Sequence, residues 1–361
     1  MMKRSLRDAI SRGWPSMSRS ATEEISITIQ ADEIYSRHAE AQDPEGLFEK
    51  ASNWISKIQT TTLDDSKRDL INDEVHDSMA RAIFGSNMIE NAGLGYDITI
   101  QLCKRIFTDD DLSDIIKSDE FYQSALLDLY PQQPNQKEFT QSISRGRDEI
   151  VQHAKAYQHI IHAFVTEKQD LSEELIMDTH RILTTGIPIY VADALEIPPE
   201  QYGGIYRTVI VGAGTCNFTV PKFVPAKMEE MCNNLKRELS AAGEAKSIDP
   251  FSIAAKYSLQ FVEIHPFQDG NGRMCRMILN AILCRYAGVI VPIGETPEER
   301  KEYMGIKQRA SRDMEGHGEY ATFVLRRSVT RLREMKKKLA GKTKGSNVPT
   351  SRACEEKPCS N

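Results

Sequence analysis

The sequence predicts an all-α protein with one small β-hairpin. Three observations carry that expectation. Apolar residues recur at helical spacing through most of the chain, as in Ile150, Ala154, Tyr157, Ile161 and Phe164. Only one segment, Arg207 to Val220, has the β-branched alternation of paired strands. Two strongly apolar runs, Phe251 to Ile264 and Met274 to Tyr286, flank a short glycine-containing loop, which reads as helix, tight turn, helix.

Composition narrows the class. At 361 residues the chain can hold one large domain or two modest ones. A hydrophobic share of 40% and a charged share of 27% are ordinary for a soluble globular protein. A net charge of −6 gives no global footprint for nucleic acid. No apolar run is long enough to span a bilayer, so no membrane span is expected. Seven cysteines without paired spacing argue for a reducing compartment such as the cytoplasm.

In order, residues 1–22 are Arg- and Ser-rich and read as a disordered tail, with a faint likeness to a mitochondrial transit peptide. Glu23–Ala41 and Gly46–Gln59 are expected to be helical, with Leu47, Trp54 and Ile55 as a sparse apolar stripe. Leu63–Glu90 is a clear helix on Leu70, Val75, Met79 and Ile83, and it ends in Ser86-Asn87-Met88-Ile89-Glu90-Asn91. Asp97–Phe107 and Ser118–Leu129 read as shorter helices. The Pro131–Gln136 break divides an N-terminal helical region, 23–130, from a larger domain, 137–339. Lys137–Thr166 is a long amphipathic helix whose His153, His159 and His162 lack metal-ligand spacing. Asp170-Leu171-Ser172-Glu173 caps the next helix, where His180 reads as a packed structural histidine.

Arg207, Thr208, Val209, Ile210 and Val211 then alternate, Gly212-Ala213-Gly214 turns the chain, and Asn217–Val220 returns as the hairpin. Pro225–Leu239 is helical, and Asp249-Pro250 opens the first buried run with a cap and a first-position proline. Gly288 stops the second run. Thr296-Pro297-Glu298-Glu299 is a capping box for a helix that carries Tyr303. Glu319–Leu339 ends in a basic cluster from Arg326 to Lys338, read as a solvated face at a helix C-terminus. Residues 340–361 are Gly-, Ser- and Lys-rich and read as a second disordered tail.

The chemistry concentrates in His265-Pro266-Phe267-Gln268-Asp269-Gly270-Asn271-Gly272-Arg273-Met274-Cys275-Arg276. Gly270 and Gly272 allow positive φ and close backbone approach, and their N–H groups with the following helix start form an anion cradle. Arg273 and Arg276, three apart, share a helix face. Asp269 can accept a hard cation such as Mg²⁺, which travels with polyphosphates. His265 can take a proton near neutral pH. Base, metal ligand, cradle and paired arginines together describe phosphoryl or nucleotidyl transfer.

These residues resemble the signature of the Fic family, His-x-Phe-x-(Asp/Glu)-Gly-Asn-Gly-Arg-x-x-Arg, at every fixed position. The resemblance implies a Fic-type helical core and transfer of AMP from ATP to a Ser, Thr or Tyr hydroxyl of a protein. It implies that His265 is the base and Asp269 the Mg²⁺ ligand. Gly270, Asn271, Gly272, Arg273 and Arg276 would hold the phosphates, and Tyr303 would lie against the adenine, with a place in the core as the alternative. Ser86 to Asn91 is similar to the family's inhibitory motif, (Ser/Thr)-x-x-x-Glu-(Gly/Asn), in which the Glu, here Glu90, pairs with Arg276 and blocks the γ-phosphate. A carboxylate in a guanidinium fork competes with phosphate for the same donors. The hairpin would be a flap that positions the target by strand pairing. The resemblance also implies homodimer formation as one means of relieving Glu90. The same residues could serve removal of AMP from a modified protein, and an ATP-binding scaffold without catalysis is the remaining alternative.

Overall fold

The computed structural model describes Leu6 and residues 28–37, 43–60, 64–108, 136–190, 196–212, 218–312 and 316–340. In chain order these form β1 (Thr28–Ile29), a 3-10 turn (Glu33–Arg37), α1 (Pro44–Thr60), α2 (Asp65–Ile89), α3 (Tyr96–Phe107) and α4 (Gln136–Ile161). A π turn (His162–Thr166) then leads to α5 (Glu173–Thr184), α6 (Pro199–Tyr202) and, after a 3-10 turn (Pro221–Phe223), α7 (Val224–Ala245). β2 (Ser247–Ile248), α8 (Pro250–Ile264), α9 (Asn271–Ala287), α10 (Pro297–Arg312) and α11 (Gly318–Leu339) complete the order. The all-α class holds. The expected tails, the Ser118–Leu129 helix and the Pro131–Gln136 break lie outside the described residues, apart from Leu6, Ala340 and the helical Gln136.

α8 and α9 form the centre. Every residue of α9 except Gly272 is buried, which is why its sequence shows no polar face. α4 and α5 pack on one side, and α2 and α11 close the other. The caps read from the sequence are made. Ser172 Oγ accepts from the Leu175 N–H at 3.3 Å, and Asp249 Oδ1 accepts from Phe251 and Ser252 N–H groups, each at 3.0 Å. Thr296 Oγ1 accepts from the Glu299 N–H at 3.3 Å, and Gly288 ends α9 at φ 68°.

Three elements differ from expectation. The described part of 23–41, residues 28–37, holds no α-helix but β1 and the 3-10 turn Glu33–Arg37. β1 pairs in parallel with β2, Thr28 opposite Ser247 and Ile29 opposite Ile248. The alternation of Ile25, Ile27 and Ile29 has the period of a strand, a signal the helical reading of 23–41 did not use. Between Arg207 and Val220 the described residues form no strand ladder. A side chain joins the two arms instead: Arg207 Nη1 donates to the Val209 carbonyl at 2.9 Å and Nη2 to the Thr219 carbonyl at 2.6 Å. Finally, the basic end of α11 is not a plain solvated face. Arg331, 7% exposed, donates to Glu74 Oε1 at 2.9 Å and Ser78 Oγ at 2.6 Å, and Lys338 pairs with the same glutamate. With Arg81 forked onto Glu295 at 2.8 and 2.9 Å, these bonds tie α2 to α11 and to the segment that leads into α10.

Asp249 also anchors the N-terminal segment, accepting from Tyr35 Oη at 2.9 Å and the Asp32 N–H at 3.0 Å. Asp249→Ala is therefore expected to destabilise the fold by at least the ~1–2 kcal/mol of a lost helix cap, read as a lower urea midpoint.

Candidate functional site

The loop between α8 and α9 is built by its own side chains. His265 ends α8 in the left-handed region at φ 52°, and Gly270 precedes α9 at φ 77°. Across the loop, Phe267 N–H donates to Asn271 Oδ1 at 2.9 Å, and Asn271 Nδ2 donates to the Phe267 carbonyl at 2.8 Å. Asn271 is 2% exposed. Its amide thus clasps the loop, which leaves its backbone N–H as the group that can face an anion. The first helical bond of α9 is Met274 N–H to the Gly270 carbonyl at 3.0 Å, so the N–H groups of Asn271, Gly272 and Arg273 have no acceptor within the helix.

His180 holds the loop from below. Gly204 N–H donates to its Nδ1 at 2.8 Å, which leaves Nε2–H to donate to the Asp269 carbonyl at 2.9 Å. Its ring lies flat on Phe267, centroids 3.7 Å apart at 5°. Burial foremost pushes its pKa down to about 3.

The predicted base is oriented for its task. His265 Nδ1–H donates to the Val262 carbonyl at 3.1 Å, so Nε2 carries the free lone pair. Burial, helped by the Arg207 charge and opposed by the Val262 bond, Glu90 and Asp269, holds its pKa down to about 4. The imidazole is neutral at pH 7.

Both arginines point inward. Arg273 is 4% exposed and reaches Asp269 Oδ2 through Nη2 at 3.3 Å, while its Nε and Nη1 are buried with no partner among the described residues. Buried donors left open beside a helix N-terminus fit an anion. Asp269 keeps its carboxylate 43% exposed. Among the described residues no group of three or more His, Cys, Asp or Glu could hold a metal, so a cation here would rest on Asp269 and the oxygens of a bound phosphate.

Arg276 is occupied. Its Nε donates to Ser86 Oγ at 2.8 Å, and its Nη2 donates to the Ser86 carbonyl at 3.1 Å and to Glu90 Oε1 at 2.6 Å. Burial is the largest influence and would lower its pKa, but the Glu90 charge and hydrogen bond, together with Tyr303 and Cys275, outweigh it and leave the pKa raised. Glu90 also lies against the start of α9: a Cβ at Gly272 would sit 2.0 Å from Oε1. The carboxylate therefore lies against the cradle as well as in the guanidinium fork. α4 steadies the turn that presents it. His153 Nδ1 bonds Asn87 Oδ1 at 2.8 Å, and Glu149 Oε2 accepts from the Gly93 N–H at 2.8 Å. Asn91, at φ 52°, accepts from Arg300 at 3.4 Å.

Tyr303 is placed in the core, 2% exposed, between Tyr320 and Phe323. Its ring lies 5.9 Å from the Arg276 guanidinium, so it supports that arginine from behind and does not face an adenine. On the flap, Thr208, Val209 and Ile210 are exposed, Ile210 at 87%, and Val211 is partly so, whereas Arg207 is buried and turned toward the base. Sequence reasoning missed Phe218, whose ring stacks on His265, and read His180 as packing alone. Neither carries a local signal, because each acts on a loop distant in the chain.

His180 is neutral when folded and ordinary when unfolded. The unfolded chain thus binds the extra proton, and stability present above about pH 6.5 is lost as pH falls toward 3, by up to ~1.4 kcal/mol per pH unit. Urea midpoints from pH 7 to 4.5 should fall less steeply in His180→Gln than in the wild type.

Residues 170–283 match the model of the Fic/DOC family. Over 139 residues the chain is 32% identical to protein adenylyltransferase fic-1 of Caenorhabditis briggsae, an alignment covering 38% of this chain and 24% of that protein. It is 34% identical over 97 residues to a Fido domain-containing protein of Dictyostelium discoideum, covering 27% of this chain and 65% of that one. The chain thus spans about a quarter of the length of the adenylyltransferase it matches. Among solved structures, Fic-1 (aa134–508) from C. elegans has a TM-score of 0.58 at 17% identity, covering 83% of this chain and 74% of that chain. A Fic domain containing signaling protein from Bacteroides thetaiotaomicron has a TM-score of 0.54 at 17% identity, covering 83% and 98%. At such identity the likeness is one of fold. The chain carries a Fic/DOC segment on a Fic-type helical frame, as its motif implied.

Proposed function

We propose that this chain, through its Fic/DOC segment, is a protein adenylyltransferase that transfers AMP from ATP to a hydroxyl of a target protein, restrained by its own Glu90. The observation that carries the reading is the arrangement around Arg276. A carboxylate at 2.6 Å lies in the guanidinium fork and against the N-terminus of α9, where a triphosphate would need the same donors. The adenylyltransferase name of the matched relative adds the reaction class.

In this reading each residue has one task. His265 Nε2 takes the proton of the target hydroxyl as its oxygen attacks the α-phosphorus and the bond from that phosphorus to the β-phosphate oxygen breaks, releasing pyrophosphate, while the Val262 bond keeps the other nitrogen protonated. The N–H groups opening α9 and the open Nε and Nη1 of Arg273 bind phosphate oxygens. Asp269 would hold Mg²⁺, which would neutralise phosphate charge. Arg276, once freed from Glu90, would grip the γ-phosphate. The exposed arm Thr208–Val211 would hold the target backbone and bring its hydroxyl to the base.

Incubation with labelled ATP in cell extract, followed by mass spectrometry, tests the reading. Glu90→Gly should raise AMP transfer by about 10- to 100-fold, the release expected when a charge-assisted bond of roughly 1.5–3 kcal/mol stops competing. His265→Ala in that background should lose transfer by at least about 10²-fold. A Glu90→Gly protein that gains no transfer and loses removal of AMP from a modified protein would instead make the reverse reaction the activity.

A further inference from the structure

The second arm of the flap is built onto the base. The Phe218 ring lies face to face with the His265 imidazole, centroids 3.7 Å apart and planes 18° apart. That arm is fastened twice. Thr219 N–H donates to the Glu263 carbonyl at 3.4 Å, and the Thr219 carbonyl accepts from Arg207 Nη2 at 2.6 Å. The same guanidinium reaches the backbone of the base: Nε donates to the His265 carbonyl at 2.6 Å and Nη2 to the Ile264 carbonyl at 3.3 Å. Arg207 N–H adds a bond to the Pro266 carbonyl at 2.9 Å. One arginine therefore fixes both the main chain of His265 and the arm that carries a ring over its side chain.

An imidazole tethered through Nδ1 alone can still rock, because the terminal torsion of histidine has a broad minimum. A flat apolar ring at stacking distance removes that freedom and keeps water off one face. It leaves the edge open, and Nε2 lies on that edge.

We infer that Phe218 is a positioning residue for the base: it holds the His265 ring in the plane where Nδ1 meets Val262 and Nε2 faces the incoming hydroxyl. Arg207 is the tie that makes the place of the flap arm and the plane of the ring one variable. A target segment held on the Thr208–Val211 arm shares the Arg207 guanidinium with the arm of Phe218, through the Val209 and Thr219 carbonyls, so docking and alignment of the base are linked. The inference rests on the reading of His265 as the base, but its principal measurement does not require turnover.

The test uses the full chain in the Glu90→Gly background, with ¹⁵N-labelled histidine and the His265 signals assigned by their loss in His265→Ala. With Phe218 present, His265 should hold the proton on Nδ1 and titrate far below an ordinary imidazole. Phe218→Ala should raise its pKa by about one unit as water reaches the exposed face, and should mix in the other tautomer. Phe218→Tyr should restore both values. Phe218→Leu, which keeps bulk without a flat face and guards against loss of folding, should lie between. In transfer assays Phe218→Ala should lower kcat about tenfold with KM for ATP unchanged, the signature of a misaligned base. A folded Phe218→Ala protein with an unaltered His265 tautomer and pKa overturns the inference, as does a loss of activity matched by an equal loss of ATP binding. If no variant transfers AMP, the proposed activity fails while the histidine spectra still decide the role of Phe218.

Discussion

Two buried guanidiniums at the start of one helix impose the constraint on which the rest depends. Arg273 and Arg276 are each 4% exposed, and both stand beside the N-terminus of α9, which adds its own partial positive charge. Positive charge taken out of water is tolerated only when a negative partner reaches it, and an uncompensated buried charge costs several kcal/mol. Asp269 answers Arg273 in part, and Glu90 answers Arg276. A bound triphosphate would meet the same need. Under the proposed function, restraint by Glu90 and nucleotide binding would be two solutions to one electrostatic problem, the first of which the chain supplies from its own sequence.

That solution works only if Glu90 is presented firmly. The long α2 is pinned near its middle by Glu74 to Arg331 and Lys338, and nearer its end by Arg81 to Glu295. Its last turn is held by Ser86 on Arg276 and by Asn87 on His153. The glutamate therefore rides on a fixed helix whose partners are spread over α4, α9 and α11. The N-terminal helical region, set apart from the larger domain by its sequence, packs as part of the same core.

What the sequence made legible follows from how far apart the cooperating residues lie. Helix ends were readable because caps are local: Ser172, Asp249 and Thr296 act within a turn of themselves. The loop from His265 to Arg276 was readable because its base, cradle and arginines are contiguous. Charge composition, in contrast, could not show which cation of α11 would meet Glu74 across the fold. The alternation from Arg207 to Val220 was real, yet no ladder forms in the described residues, because a guanidinium supplies the bonds that a partner strand would have made. Asn271 was read as a phosphate ligand from the family resemblance alone. Only coordinates reveal that both ends of its amide are turned back on Phe267.

Two histidines stacked on phenylalanines show why residue type and pKa do not by themselves identify a base. His180 and His265 are both desolvated, with pKa values pushed down to about 3 and about 4, and each ring lies 3.7 Å from an aromatic face. The difference is in the count of partners. His180 accepts from Gly204 and donates to Asp269, so both nitrogens are engaged and the ring can only hold the loop. His265 donates to Val262 alone, so one nitrogen keeps an unused lone pair. A proton acceptor needs that vacancy more than it needs a matched pKa. The fold provides it at one histidine and removes it at the other, with main-chain groups in both cases.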